Sequence, residues 1–303
     1  MITRYAFNTT TWLDVQSPTG EEIRAILEEV AIPAEFAGDL AAMTPHTETK
    51  ASKDAVKITL DFPIVKRNDI SHPHEIKFIA TKTHLLTIRF EDIEVIHRFA
   101  KEFEVLSTLK RAGKRATGGH LFLTLLAYVY DGLSAKLDYL ESRMHDIENA
   151  MFNDNEREIL IDISQVGRKL VAFQQTISAH ERALRELKPA MESAFAKSYG
   201  EHVTSIILNY EHQVTRVRAL LSTLEIIRDT DNALLSAKQN EVMKMLTIMA
   251  FITFPLSLFS SMFGMNTTSM PLAGHPHDFW IIVGIMVFVS VGFFVFFKYK
   301  RWL

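Results

Sequence analysis

The 303-residue chain contains no cysteine. That absence removes disulfide frameworks, thiolate metal sites and cysteine nucleophiles together, without identifying a compartment. A strong charge of either sign is also missing: 33 Lys and Arg face 36 Asp and Glu, for a net charge of -3, so there is no basic footprint for nucleic acid. No nucleophile-base set, Gly-rich nucleotide loop or convincing metal triad can be assembled, which makes an enzyme the least favoured class. Arg111-Ala112-Gly113-Lys114-Arg115-Ala116-Thr117-Gly118-Gly119-His120 lacks the spacing of a phosphate-binding loop and follows no convincing strand. It reads as a basic linker before a helix. No cleavable signal is expected, because Met1-Ile2-Thr3-Arg4-Tyr5 opens a polar region rather than an apolar one.

Charge is absent from two stretches near the end of the chain, the 18 residues of 246–263 and the 19 residues of 279–297. A helix needs about 20 apolar residues to cross a hydrocarbon core about 30 Å thick, so both are candidate spans and together they read as a hairpin. The second is apolar all round. The first carries Thr247, Thr253, Ser257, Ser260, Ser261 and Pro255, and hydroxyls at that depth usually face protein or water, which fits either a wet lining or helix packing through small residues. The connection 264–278 holds neither Lys nor Arg, whereas Lys238, Lys244, Lys298, Lys300 and Arg301 flank the spans. The positive-inside rule then puts both termini in the cytoplasm.

The stretch NEVMKMLTIMAFITFPLSLFSSMFGMN, 240–266, followed by a second span and the basic end KYKRWL, resembles the CorA family of magnesium and cobalt transporters. GMN alone would be weak. Here it closes the first of two C-terminal spans, after an NEVMK entry and a mid-span proline. The resemblance implies a homopentameric channel in the inner (plasma) membrane, multi-pass, that needs no cofactor. Its cargo would be hydrated Mg2+, with Co2+ and Ni2+ as further permeants, and cytosolic Mg2+ would feed back negatively. Its partners would be its own copies, divalent cations and the lipid bilayer, not nucleic acid.

The expected fold is an α+β membrane protein in three parts. Residues 1–110 form a cytoplasmic α/β domain, with strands near 9–15, 55–62, 75–80 and 85–90 and helices after Ser17-Pro18-Thr19 and over 92–103. WLDVQSPTGEEI resembles the start of the CorA amino-terminal domain and implies an αβα sandwich, although 32–40 departs from the acidic His-Pro stretch of many relatives. Residues 111–245 form a helical stalk. Apolar positions recur in heptads from Leu133 to Met151, from Ile159 to Ile177, and at Val203, Ile207, Tyr210, Val214, Val217, Leu221 and Leu224, predicting antiparallel, coiled-coil-like packing. A break is expected at Lys188-Pro189 or at Ser198-Tyr199-Gly200. No proline or glycine lies between Glu201 and Ala250, so the last helix should continue into the membrane and measure about 95 Å over 201–263. Residues 246–303 hold the spans 246–263 and 279–297, the outer loop 264–278 and the basic tail 298–303.

The resemblance assigns Gly264, Met265 and Asn266 to the pore entrance. An asparagine amide can accept hydrogen bonds from the first-shell water of Mg2+, an ion that dehydrates reluctantly, and Gly264 would allow a tight bend. It also places Asn240, Met243, Leu246, Ala250, Phe254, Ser257 and Ser261 on the lining face, at steps of three or four residues. Met243 and Leu246 would form an apolar constriction. Phe254 replaces the methionine common before the proline, and Leu272 replaces a common glutamate. His275 and His277 flank Pro276 and suit a transition metal better than magnesium, or belong to a solvated loop. The acidic residues Asp138, Glu141, Asp146, Glu148, Asp154, Glu156, Glu158 and Asp162 read as a solvated helix face or a cation-attracting surface. The regulatory ligands are unassigned; Asp229 stands where some relatives carry an aspartate. Two other readings remain: a zinc transporter of the same superfamily with proton coupling, and a membrane-anchored coiled-coil scaffold.

Overall fold

The computed structural model describes residues 1–7, 10–30, 32–44, 46–63, 73–108, 117–151, 156–265, 276–300 and 302. The chain divides into two compact units, Met1–Ile227 and Arg228–Leu303.

The first unit is built on a six-stranded sheet in the order β1-β2-β6-β5-β4-β3. The strands are β1 Ile2–Phe7, β2 Thr10–Gln16, β3 Glu48–Ala51, β4 Ala55–Phe62, β5 His74–Thr81 and β6 His84–Arg89. Neighbours are antiparallel except β2 and β6, which run parallel with Leu13 opposite Leu86. The polar opening of the chain is therefore a strand, β1, because its edge position asks for backbone pairing rather than apolar composition. β3 is likewise a short, partly exposed edge strand that lacks the apolar alternation of the inner ones.

Alternation along the strands feeds two cores. Val56, Ile58, Leu60, Phe62, Ile76, Phe78 and Ala80 face one layer, while Ala55, Ile79, Leu86 and Ile88 face the other. The second layer is α1, Gly20–Val30, which buries Ile23, Ile26 and Val30, together with a 3-10 turn at Ala34–Asp39 that buries Phe36. Thr19 starts α1 with a reciprocal capping box: the Glu22 amide donates to Thr19 Oγ1 at 3.2 Å and the Thr19 amide donates to Glu22 Oε2 at 2.9 Å.

The other face carries α2, Glu94–Thr108, and the long helices α3, Gly118–Ala150, α4, Glu156–Ser178, and α5, His180–Ala194. Helix α6, Tyr199–Phe263, begins in this unit and ends in the second. Sheet and helices share one continuous core, so the segments 1–110 and 111–227 are layers of one compact unit. Arg143 near the end of α3 reaches Asp162 near the start of α4 at 2.9 Å, the mark of antiparallel neighbours. Helix α6 instead runs parallel to α3. Asn209 pairs with Asp131, Gln213 with Ser134 and Arg216 with Asp138, at 2.8, 2.6 and 2.5 Å.

Two local expectations are corrected. Pro189 lies inside α5 and does not break it, while the chain does leave the helix between Ala194 and Tyr199. Between Val203 and Leu220 the buried positions of α6 are Val203, Ile206, Tyr210, Gln213, Val217 and Leu220. Ile207, Val214 and Leu221 flank them, partly buried. The polar Gln213 sits in that row with its Nε2 donating to Ser134 Oγ and Asn209 Oδ1 at 2.6 and 3.0 Å, while its buried Oε1 finds no partner among the described residues.

The C-terminal hairpin as candidate ion path

The second unit consists of the rest of α6 and helix α7, Asp278–Tyr299. Both helices are long and apolar enough to cross a membrane, and almost nothing in their apolar windows is buried. A core helix of similar composition would hide that surface; here Phe254 is 73% exposed and Phe288 79%.

The face of α6 turned toward α7 is defined by Ile248, buried like Phe297 of α7, and by the Phe251 and Phe297 rings, whose centroids lie 6.4 Å apart. Ile252, Pro255 and Leu256 continue the less exposed side. At 100° per residue, Met243, Leu246, Ala250, Phe254, Ser257 and Ser261 fall in one stripe about 80° wide on the other side of the helix, with Asn240 at its edge toward Phe251. All of them are exposed except Ala250, which is intermediate. The predicted lining residues other than Asn240 therefore share one face, and it is the face that α7 does not use.

Pro255 lies inside α6. Lacking an N–H, it leaves the carbonyl four residues earlier, at Phe251, without its helical donor. The Thr247 hydroxyl donates to Met243 O at 2.7 Å, and the Thr253 hydroxyl donates to Met249 O. These two threonines are thus satisfied within their own helix and need neither water nor a neighbouring helix. The polarity that speaks for a wet face rests on Asn240, Ser257 and Ser261 instead.

At the end of α6 the Gly264 amide donates to Ser260 O at 3.0 Å, and the Met265 amide to Met262 O at 3.4 Å. A Cβ on Gly264 would lie 3.3 Å from Ser260 O and 3.6 Å from Ser261 O. Glycine here serves a close carbonyl approach rather than a left-handed backbone. Asn266 and His275 lie outside the described residues. His277 immediately precedes α7, and its carbonyl accepts the Ile281 amide at 3.1 Å. At the far end of α7, Lys300 Nζ lies 5.6 Å from the Phe296 ring centroid and 5.9 Å from that of Trp302. This basic-aromatic pattern suits a membrane interface.

Many of the acidic residues between α3 and α4 are answered within the chain. Arg143 reaches Asp146 and Asp162, Arg216 reaches Asp138 and Glu141, and His145 lies 3.6 Å from Glu148; Asp154 lies outside the described residues. Among the described residues no group of three or more His, Asp or Glu is placed to hold a metal ion. Sequence reasoning missed the Phe251 and Phe297 ring contact that orients α6. Two uniformly apolar helices give no signal for which of their apolar residues meet.

The family model for CorA-like Mg2+ transporter proteins matches residues 7–301. The chain belongs to that family. Among relatives, the cobalt/magnesium transport protein CorA of Methanocaldococcus jannaschii is 24% identical over 296 residues, covering 96% of this chain and 91% of the relative. The complete structure of the CorA magnesium transporter from the same organism superposes with a TM-score of 0.83 at 22% identity, covering 99% of this chain and 94% of that one. The cytoplasmic domain of ZntB from Vibrio parahaemolyticus shares the fold at a TM-score of 0.60 and 13% identity, over 76% of this chain and 89% of that domain. The CorA-like family is one of membrane transporters, and the two apolar helices fall within the matched region.

Proposed function

We propose that this CorA-like chain is a divalent-cation channel of the inner membrane that admits hydrated Mg2+, and also Co2+ and Ni2+, down the electrochemical gradient. Five copies would surround one axis, with both termini in the cytoplasm. The observation that carries the reading is the stripe from Met243 to Ser261, exposed and turned away from α7, which leads to Gly264 and Met265 at the end of the same helix.

In this reading Asn266 of each copy contributes one amide to a ring that accepts hydrogen bonds from water on the ion. Recognition through that water spares the cost of stripping Mg2+, whose octahedral shell is held tightly. Met243 and Leu246 then form an apolar constriction that closes by dewetting. Asn240, Ser257 and Ser261 supply oxygen and amide groups elsewhere along the path, while Phe254 narrows its middle. Entry of a doubly charged ion into a negative-inside cell gains about 4.6 kcal/mol per 100 mV, so transport needs no cofactor and no nucleotide. Cytosolic Mg2+ would act as a negative regulator at sites between copies.

Fluorescence-detected Mg2+ influx into liposomes tests the reading. The native chain admits Mg2+, and Asn266→Ala abolishes most of that influx; equal influx in both rejects the entrance ring. The zinc reading has the shared fold of the ZntB domain and the histidines around Pro276 in its favour. Zinc uptake that follows a pH gradient, with no Mg2+ flux, would establish it instead.

A further inference from the structure

The glycine pair that opens α3 has a structural task that fixes two histidines. Thr117 caps α3, its hydroxyl accepting the His120 amide at 3.1 Å. A Cβ on Gly118 would lie 2.2 Å from the carbonyl oxygens of both Thr81 and His84, and one on Gly119 would lie 2.8 Å from the Phe195 ring. Only glycine lets the first turn of α3 sit this close to the β5–β6 turn and to the segment before α6. The first turn of α6 is tied to it in turn, because Thr117 Oγ1 and the Tyr199 hydroxyl are 2.6 Å apart.

This anchoring sets His120 of α3 beside His202 of α6. Their ring centroids are 6.1 Å apart and their planes nearly perpendicular, at 85°. Both residues are exposed. His202 Nδ1 lies 3.2 Å from the Ser198 carbonyl, which can only accept, so Nδ1 carries the proton and Nε2 presents a lone pair. A histidine held this way by a backbone carbonyl has the arrangement usual in metal ligands.

We propose that His120 and His202 form a two-imidazole clamp for a transition-metal cation of the Zn2+, Co2+ or Ni2+ class, with water completing the coordination. With metal–nitrogen bonds of about 2.0–2.1 Å, two imidazoles on one ion have centroids roughly 5.2 Å apart at a tetrahedral angle and about 6.4 Å apart when linear. The observed spacing falls inside that range, and exposed side chains reach the shorter value by small rotations. Imidazole favours these ions, whereas Mg2+ prefers oxygen ligands, so the clamp distinguishes the borderline cations from Mg2+. The two helix N-termini oppose a cation, by a factor of about five at an exposed site. Joining two ligands on a fixed frame outweighs that. The site lies in the first unit and does not depend on the transport reading.

The test uses the full-length chain in detergent, with Co2+ as probe, following its visible absorption and the thermal midpoint. The native chain binds Co2+ with a nitrogen-ligand spectrum and melts at a higher temperature in its presence, and a hundredfold excess of Mg2+ displaces none of it. His120→Gln and His202→Gln each weaken Co2+ binding by about tenfold or more, with unchanged melting in the absence of metal, while substitution of another exposed histidine of α6, His212→Gln, leaves binding as in the native chain. Native-like Co2+ binding in both histidine variants overturns the proposal. So does loss of the spectrum in Asn266→Ala alone, which would put the bound ion in the conduction path.

Discussion

The two units of this chain place charge and apolar surface in opposite ways. In the first, charged side chains go inside and are answered there. Lys57 is buried with its ammonium 2.5 Å from Asp39 Oδ1, and Lys77 donates to the Asp39 and Ala42 carbonyls. Arg89 grips Asp14 through Nη2 at 3.0 Å, with the Thr87 hydroxyl donating to the same carboxylate at 2.7 Å. In the second unit large apolar side chains go outside, and among its described residues only Asp231, Ile248 and Phe297 are buried. A buried charge without its partner costs several kcal/mol, so the first unit is held by contacts it supplies itself. The second exposes far more apolar surface than a monomer in water tolerates, as expected of helices in a membrane transporter that face lipid.

Equivalent truncations in the two units should therefore differ most. Trp12 is fully buried, stacks on Tyr5 with centroids 4.7 Å apart, and donates its indole N–H to Thr87 at 3.0 Å. Trp12→Ala should cost about 3–5 kcal/mol. Phe288→Ala removes a ring that is 79% exposed and should change stability by no more than about 0.5 kcal/mol. Guanidinium unfolding of each variant in detergent measures both, and comparable losses would erase the contrast between the units.

A second effect sharpens the contrast through pH. His180 is fully buried: its Nε2 donates to the Asp61 carbonyl at 2.6 Å and its Nδ1 accepts from the Tyr130 hydroxyl at 2.7 Å. Burial drives its pKa down to about 4, against the bond to Asp61, so the folded chain holds it neutral. The unfolded chain protonates it near 6.5 and binds more protons below that pH. Stability is thus complete above about pH 6.5 and falls by about 1.4 kcal/mol per unit as the pH drops toward 4, a loss of about 3 kcal/mol. His180→Leu costs stability at pH 7, because it strands the Tyr130 hydroxyl and the Asp61 carbonyl, and it flattens that slope. Denaturation curves from pH 7 to 4 should show the difference, and identical slopes would contradict a neutral buried imidazole.

The inner strands, the helix start after Ser17-Pro18-Thr19 and the unbroken run of α6 into the first apolar stretch were all readable, since each rests on local pattern. The apolar alternation at 55–62 and 75–80 identifies strands on its own. Its polar phase does not say that Lys57 and Lys77 would be covered, because that depends on where the turn at Ala34–Asp39 folds back. Pro189 misled for a related reason: tertiary packing of α5 on the sheet outweighs the one hydrogen bond a proline forfeits. In the hairpin, sequence spacing gave the stripe from Asn240 to Ser261, but the side of α6 taken by α7 emerges only from the Phe251 and Phe297 ring contact. Thr247 and Thr253 do not choose between a wet lining and helix packing, because a helical threonine can satisfy itself four residues back.

The smallest predicted effect concerns charges on the surface of the first unit. Arg216 reaches from α6 to Asp138 at 2.5 Å and to Glu141 at 2.6 Å, two acids three residues apart on α3. They continue the pairing of Asn209 with Asp131 and Gln213 with Ser134, so the ladder fixes the register of two parallel helices. Both carboxylates are more than half exposed, and water screens such pairs as effectively as the protein strengthens them. Arg216→Ala should cost about 1 kcal/mol or less at low salt, and the loss should shrink as salt is raised toward 1 M, where the screening length falls to about 3 Å. A larger, salt-insensitive loss would mean that this ladder carries the same weight as the enclosed Arg89 and Asp14 pair. The first unit would then owe its stability to its helix surface as much as to its sheet.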